Sequence, residues 1–149
     1  LTKKPSQLLL EKYSQQADKA AHWLRRSLQK SISFQISDKL TESEFDVLEN
    51  LTSRFARLCD ILFQKVFRAI DSTELESPGT IIDVLNRAAK RGIVANDHLA
   101  RELRELRNTI AHEYTEEQLV ELFKKIRKVS PDLLEIHENT KKYLAAHQA

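Results

Sequence analysis

The chain predicts an all-α fold, a single-domain antiparallel up-and-down bundle of five to six helices over residues 1–149. Three observations carry that prediction. Only two Gly and three Pro occur in 149 residues, too few turn residues for a many-stranded sheet. Hydrophobic residues make up 41% and charged residues 31%, too apolar for disorder and polar enough for a soluble surface. Apolar side chains recur every three or four positions over long stretches, the helical period. The length is that of one domain, enough to bury roughly 68–70% of the unfolded surface without staples.

The elements follow from period and punctuation. The first helix is read from about Ser6 to Ile32, on Leu10, Tyr13, Ala17, Ala20, Leu24 and Leu28, with Pro5 just ahead of it, where its missing N–H costs nothing. Ser31 to Leu40 alternates weakly and is too short for a sheet, so it is a connection. Thr41 and Glu44 have capping-box spacing and open a second helix that runs to Ile70. Its apolar stripe is wide, with Phe45, Phe63 and Phe67 beside the main line, and predicts a central spine buried on more than one side. Asp71 to Gly79 is the clearest break. Thr80 caps a short helix that Gly92 ends at the position favouring left-handed backbone. Asn96 caps the next, with Leu99, Leu103, Leu106 and Ile110 inward. Thr115 and Gln118 open the last, and Ser130-Pro131 predicts a kink or a fresh start within it.

Composition removes several function classes. Lys and Arg number 24 against 22 Asp and Glu, a net charge of +2, so any nucleic-acid role rests on a local patch rather than a global field. One cysteine, Cys59, leaves no intramolecular disulfide and no Cys-rich metal site; on the apolar stripe it reads as core rather than nucleophile. The histidines His22, His98, His137 and His147 have no second ligand at metal spacing, and the two glycines are isolated, so no phosphate loop is present. We expect no metal and no cofactor. The absence of an 18-residue apolar run and of a charged-then-apolar leader predicts a cytoplasmic protein.

One segment concentrates chemistry. Residues 101–114 hold Arg101, Arg104, Arg107, Asn108, His112 and Tyr114 around the end of a helix. On a regular helix Arg101, Glu105, Asn108 and His112 fall within about 60° of one another. A solvated polar face has the same look.

Arg107-Asn108-Thr109-Ile110-Ala111-His112-Glu113-Tyr114 resembles the R-x4-H-x-Y signature of the HEPN family, including the polar residue after the arginine. The order of helices resembles that family too, with a long second helix and the motif late in the chain. The resemblance implies a metal-independent RNA endonuclease, the toxin of a pair whose antitoxin is a minimal nucleotidyltransferase. It also implies a homodimer whose two motifs share a cleft. Carried onto this chain, His112 becomes the general acid or base, a task suited to an imidazole, which titrates near neutral pH. Arg107 stabilises the charge that builds on phosphorus. Asn108 orients the histidine or holds a phosphate oxygen. The alternative in the same family is a non-catalytic subunit that presents nucleotide or substrate to a nucleotidyltransferase; outside it, a helical dimerisation module.

Helical geometry sets a condition on this site. Five residues on a regular helix separate Arg107 and His112 by about 140° and 7.5 Å. Either the helix ends before His112 or the site forms across a two-fold dimer; of these the dimer is expected. Tyr114 has two readings, a half-buried packing tyrosine or, by the resemblance, an acceptor of a nucleotidyl group that blocks the cleft. Arg101 and Arg104 are the nearest candidates for RNA contacts, followed by Lys90, Arg91, Lys124, Lys125, Arg127 and Lys128. Trp23, followed by Arg25 and Arg26, is read as a core or dimer-face residue ahead of a base-stacking one.

Overall fold

A computed structural model describes residues 2–112 and 114–147; Leu1, Glu113 of the motif, Gln148 and Ala149 lie outside the described residues. Helix α1 spans Pro5–Ser31, α2 Glu42–Asp60, and a π-helical segment Ile61–Val66 passes directly into α3, Phe67–Thr73. Three further helices follow: α4 at Ile81–Lys90, α5 at Asp97–Thr109 and α6 at Glu116–His147. Among the described residues there is no strand, and the all-α single-domain prediction holds.

The rod from Glu42 to Thr73 is the expected spine. Leu48, Leu51, Phe55, Leu58, Leu62, Val66, Phe67 and Ile70 are fully buried along it, a stripe that other helices cover on several sides. Side-chain pairs fix how they do so. Arg54 meets Ser27 and Lys65 meets Tyr13, so position rises on the spine as it falls on α1: the two are antiparallel. Arg127 meets Ser31 and His137 meets Asp18, which makes α6 antiparallel to α1 as well. Spine and α6 therefore run parallel, consistent with the edge-to-face contact of Phe45 and Phe123 near both starts. The short helices α4 and α5 make the return journey between them.

Caps and turns fall where the sequence places them, with three departures. Thr41 accepts from the Glu44 N–H at 3.1 Å while Glu44 accepts from the Thr41 N–H at 2.9 Å, and Thr80 with Asp83 repeats the arrangement. Gly92 has φ 78° after α4. The spine, however, continues past Ile70 to Thr73 and ends in a Schellman motif: Glu76 N–H reaches the Asp71 carbonyl at 2.9 Å and Leu75 N–H the Ser72 carbonyl at 3.2 Å. That motif needs left-handed backbone at Leu75, which has φ 62° and is 89% exposed.

The second departure is α6, which runs unbroken through Ser130-Pro131. A proline inside a helix costs about 3 kcal/mol. Burying Leu122, Phe123 and Ile126 before it and Leu133, Leu134 and Ile136 after it is worth about 1.5–3 kcal/mol each, so packing outweighs the break. The Ser130 hydroxyl, instead of starting a helix, donates back to the Ile126 carbonyl at 2.6 Å. The third is the π-helical turn at Ile61–Val66, which no spacing signals.

Several cations serve the fold. Buried Asp71 accepts from Arg87 at 3.1 Å and from Arg91 at 2.6 Å, tying α3 to α4. Arg127 donates to the carbonyls of Ser31 and Phe34, closing the connection that follows α1.

Candidate active site

The motif sits where α5 stops. Asn96 Oδ1 caps the helix by accepting from the Leu99 N–H at 2.8 Å, and the last helical residue is Thr109. Beyond it the backbone tightens. The N–H groups of Ile110, Ala111 and His112 donate to the carbonyls of Arg107, Asn108 and Thr109, three residues back, at 3.3, 3.3 and 3.1 Å. The Tyr114 hydroxyl donates to the same Thr109 carbonyl. Carbonyls left over at the helix end are thereby satisfied.

His112 therefore belongs to a turn and not to the helical face of Arg101, Glu105 and Asn108, which corrects the wheel drawn from the sequence. Of the two ways to unite Arg107 with His112, the helix ending early is the one present within a single chain. Both residues line one groove of about 440 Å³, walled by Thr52, Ser53 and Ala56 of α2 and by Tyr114 and Phe123. His112 is exposed and Arg107 half-buried. Glu49 is the one carboxylate among the described lining residues.

Arg107 is anchored from across the bundle. Its Nε donates to Asp60 Oδ1 at 2.8 Å and its Nη2 to Oδ2 at 2.9 Å, a planar two-point pair. The Asp60 hydrogen bond raises the guanidinium pKa further, against the smaller opposing effect of desolvation. Two of five N–H donors are thus committed, and those on Nη1 together with one on Nη2 remain for a ligand. Asp60 is the residue directly before the π-helical turn, a distortion frequent at functional sites. Beneath it, Cys59 is fully buried. Burial first, then the neighbouring Asp60 charge, pushes its thiol far up, so it stays protonated and carries no nucleophilic chemistry.

Tyr114 stands between two grooves, the one just described and a neighbour lined by Glu102, Glu105, Lys125 and Lys128. Half-buried and with its hydroxyl engaged, it fits the packing role; the hydroxyl is available to a modifying enzyme only when the bond to Thr109 opens.

The remaining predicted residues are not gathered here. Asn108 is exposed, lines neither groove and makes no side-chain hydrogen bond to His112 among the described residues, so it does not orient the histidine in this conformation. Arg101 faces Asn86 and Asp97 on the α4 side, and Arg104 is absent from the lining of the His112 groove. Arg91 and Arg127 are spent on the fold. Among the described residues no group of three or more His, Cys, Asp or Glu is placed to hold a metal ion, and no helix is long and apolar enough to cross a membrane.

Sequence reasoning missed Asp60. A signal existed: it is the lone charge in the apolar run Leu58 to Phe63, and an acid at such a place needs a partner. What spacing cannot provide is that the partner lies 47 positions on.

No family model, no curated protein and no solved structure matches the chain.

Proposed function

We propose that the chain is a HEPN-type, metal-independent RNA endonuclease that works as a homodimer, the toxin of a pair whose antitoxin is a minimal nucleotidyltransferase in the same cytoplasm. The observation that supports this reading most is the shared open groove of Arg107 and His112, with Tyr114 in its wall. In the reaction the ribose 2′-oxygen attacks phosphorus and the 5′-oxygen leaves. The 2′-proton is lost, the 5′-oxygen gains one, and a 2′,3′-cyclic phosphate and a 5′-hydroxyl result. His112 moves one of those protons. Arg107, held by Asp60, directs its remaining N–H donors at the phosphoryl oxygens as charge accumulates there. Nucleotidylation of Tyr114 adds bulk and negative charge at the groove wall and closes the groove to RNA.

One observation favours the non-catalytic alternative. Asp60 neutralises much of the Arg107 charge, as suits a site that binds a nucleotide without strong electrostatic stabilisation of a transition state. Analysis of RNA ends separates the two: the endonuclease leaves cyclic phosphates, and a binding subunit leaves its RNA intact.

A further inference from the structure

A second groove begins on the other side of Arg107. It runs between α1 and α2, has a volume of about 760 Å³, and shares Ser53, Ala56 and Arg107 with the His112 groove. Its cations are Lys19, Arg57, Lys65 and Arg107, against the single carboxylate of Asp60 among the described lining residues. At the α1 wall stands Trp23, which the sequence favours as a core or dimer-face residue and which is instead 46% exposed.

The indole is braced rather than buried. The guanidinium of Arg54 lies over the ring at 5.1 Å from its centroid and is itself fixed by donating to Ser27 Oγ at 2.6 Å. His22 meets the ring in an edge arrangement at 5.1 Å. Arg26, at 6.0 Å, is at the outer limit of a cation–π contact. An exposed, oriented aromatic surface beside a row of cations is the combination that holds single-stranded nucleic acid: phosphates follow the charges and a base stacks on the ring.

We propose that Trp23 is a nucleobase-stacking residue, and that the α1–α2 groove carries the single-stranded RNA flanking the phosphate held by Arg107. This rests on the endonuclease reading for its substrate, though not for its test. The groove connects to the His112 groove through Arg107, so one strand passes over both. Charge complementarity favours RNA over a second copy of this chain, whose matching face would bring the same cations together.

Trp23 is the only tryptophan in the chain, so its emission reports this position alone. The 149-residue chain is titrated with a fluorescein-labelled 2′-O-methyl single-stranded oligonucleotide, which binds but lacks the attacking hydroxyl. Anisotropy follows binding, and an unlabelled copy is used to follow indole emission. Emission falls with the same midpoint as anisotropy rises. Trp23→Ala weakens binding between about 5-fold and 150-fold, the range for one base–aromatic stack, and Trp23→Phe recovers most of it. Oligonucleotide that binds without changing the emission overturns the proposal, as does an emission that responds to protein dilution and not to oligonucleotide. Quenching by an oligonucleotide in a protein that cuts no RNA sinks the endonuclease reading and leaves the stacking site standing. Normal cutting by Trp23→Ala with unchanged KM does the reverse.

Discussion

Arg107 and Asp60, 47 residues apart in sequence, meet in a two-point hydrogen-bonded pair at 2.8 and 2.9 Å that joins the end of α5 to the end of α2. The pair fixes the plane of the guanidinium in the lining of the groove that His112 shares. Asp60 is half exposed and Arg107 about a third, so the contribution to stability is small. Its weight falls on orientation.

Removing that anchor separates the two roles. Asp60→Ala lowers stability by less than about 1 kcal/mol, the value of a solvent-accessible pair. In the proposed reaction it lowers kcat by about 10- to 100-fold with little change in KM, because a misdirected arginine is lost chiefly in the transition state. Denaturant melts beside steady-state cleavage kinetics check both halves.

Cys59 makes stability depend on alkaline pH. Its folded pKa is raised by burial and then by Asp60, so above the unfolded thiol value of 9.0 the native state binds more protons than the unfolded one. Stability is fully present below pH 9 and declines above it, by up to about 1.4 kcal/mol per pH unit from this group. Cys59→Ala removes that slope. Urea melts of both proteins between pH 8 and pH 10.5 give the difference, and a native thiol inert to alkylation until unfolding accompanies it.

Leu75 carries a left-handed backbone that glycine adopts freely. The strain of about 1–2 kcal/mol exceeds the roughly 0.4–1 kcal/mol of unfolded-state entropy that glycine adds. The exposed side chain loses little on removal. Leu75→Gly therefore stabilises by about 0.5–1 kcal/mol and raises Tm by about 1–4 °C, read by thermal denaturation.

Tyr114→Phe loses the hydroxyl that donates to Thr109 and about 1 kcal/mol of stability. Under the proposed function it keeps RNA cleavage and loses the acceptor for nucleotidyl transfer. Intact-protein mass, after co-expression with a minimal nucleotidyltransferase, rises for wild type and not for the variant.

How much was legible in the sequence differs by level. Caps at Thr41, Thr80 and Asn96 and the turn at Gly92 read correctly because each depends on three or four neighbouring residues. Pro131 misled because the local penalty is visible in sequence and the packing that outweighs it is not. Leu75 was silent, since the Schellman motif is marked by glycine and none is there. At the candidate site, Arg107 and His112 were singled out by the resemblance of a short local motif, and the fold places both on one groove. Asp60 and Trp23 needed the third dimension, because α2 and α1 bring them alongside from 47 and 84 positions away.

The most direct measurement is cleavage of a mixed tRNA and mRNA pool in excess EDTA, with wild type beside Arg107→Ala and His112→Ala, all shown to be folded by circular dichroism. His112 is exposed, so its loss leaves stability within about 0.5 kcal/mol. The proposed endonuclease yields fragments ending in cyclic phosphate from wild type and a loss of about 10²- to 10⁴-fold in His112→Ala, with Arg107→Ala comparably impaired. RNA that stays intact, or is cut equally by all three proteins, overturns the proposed function.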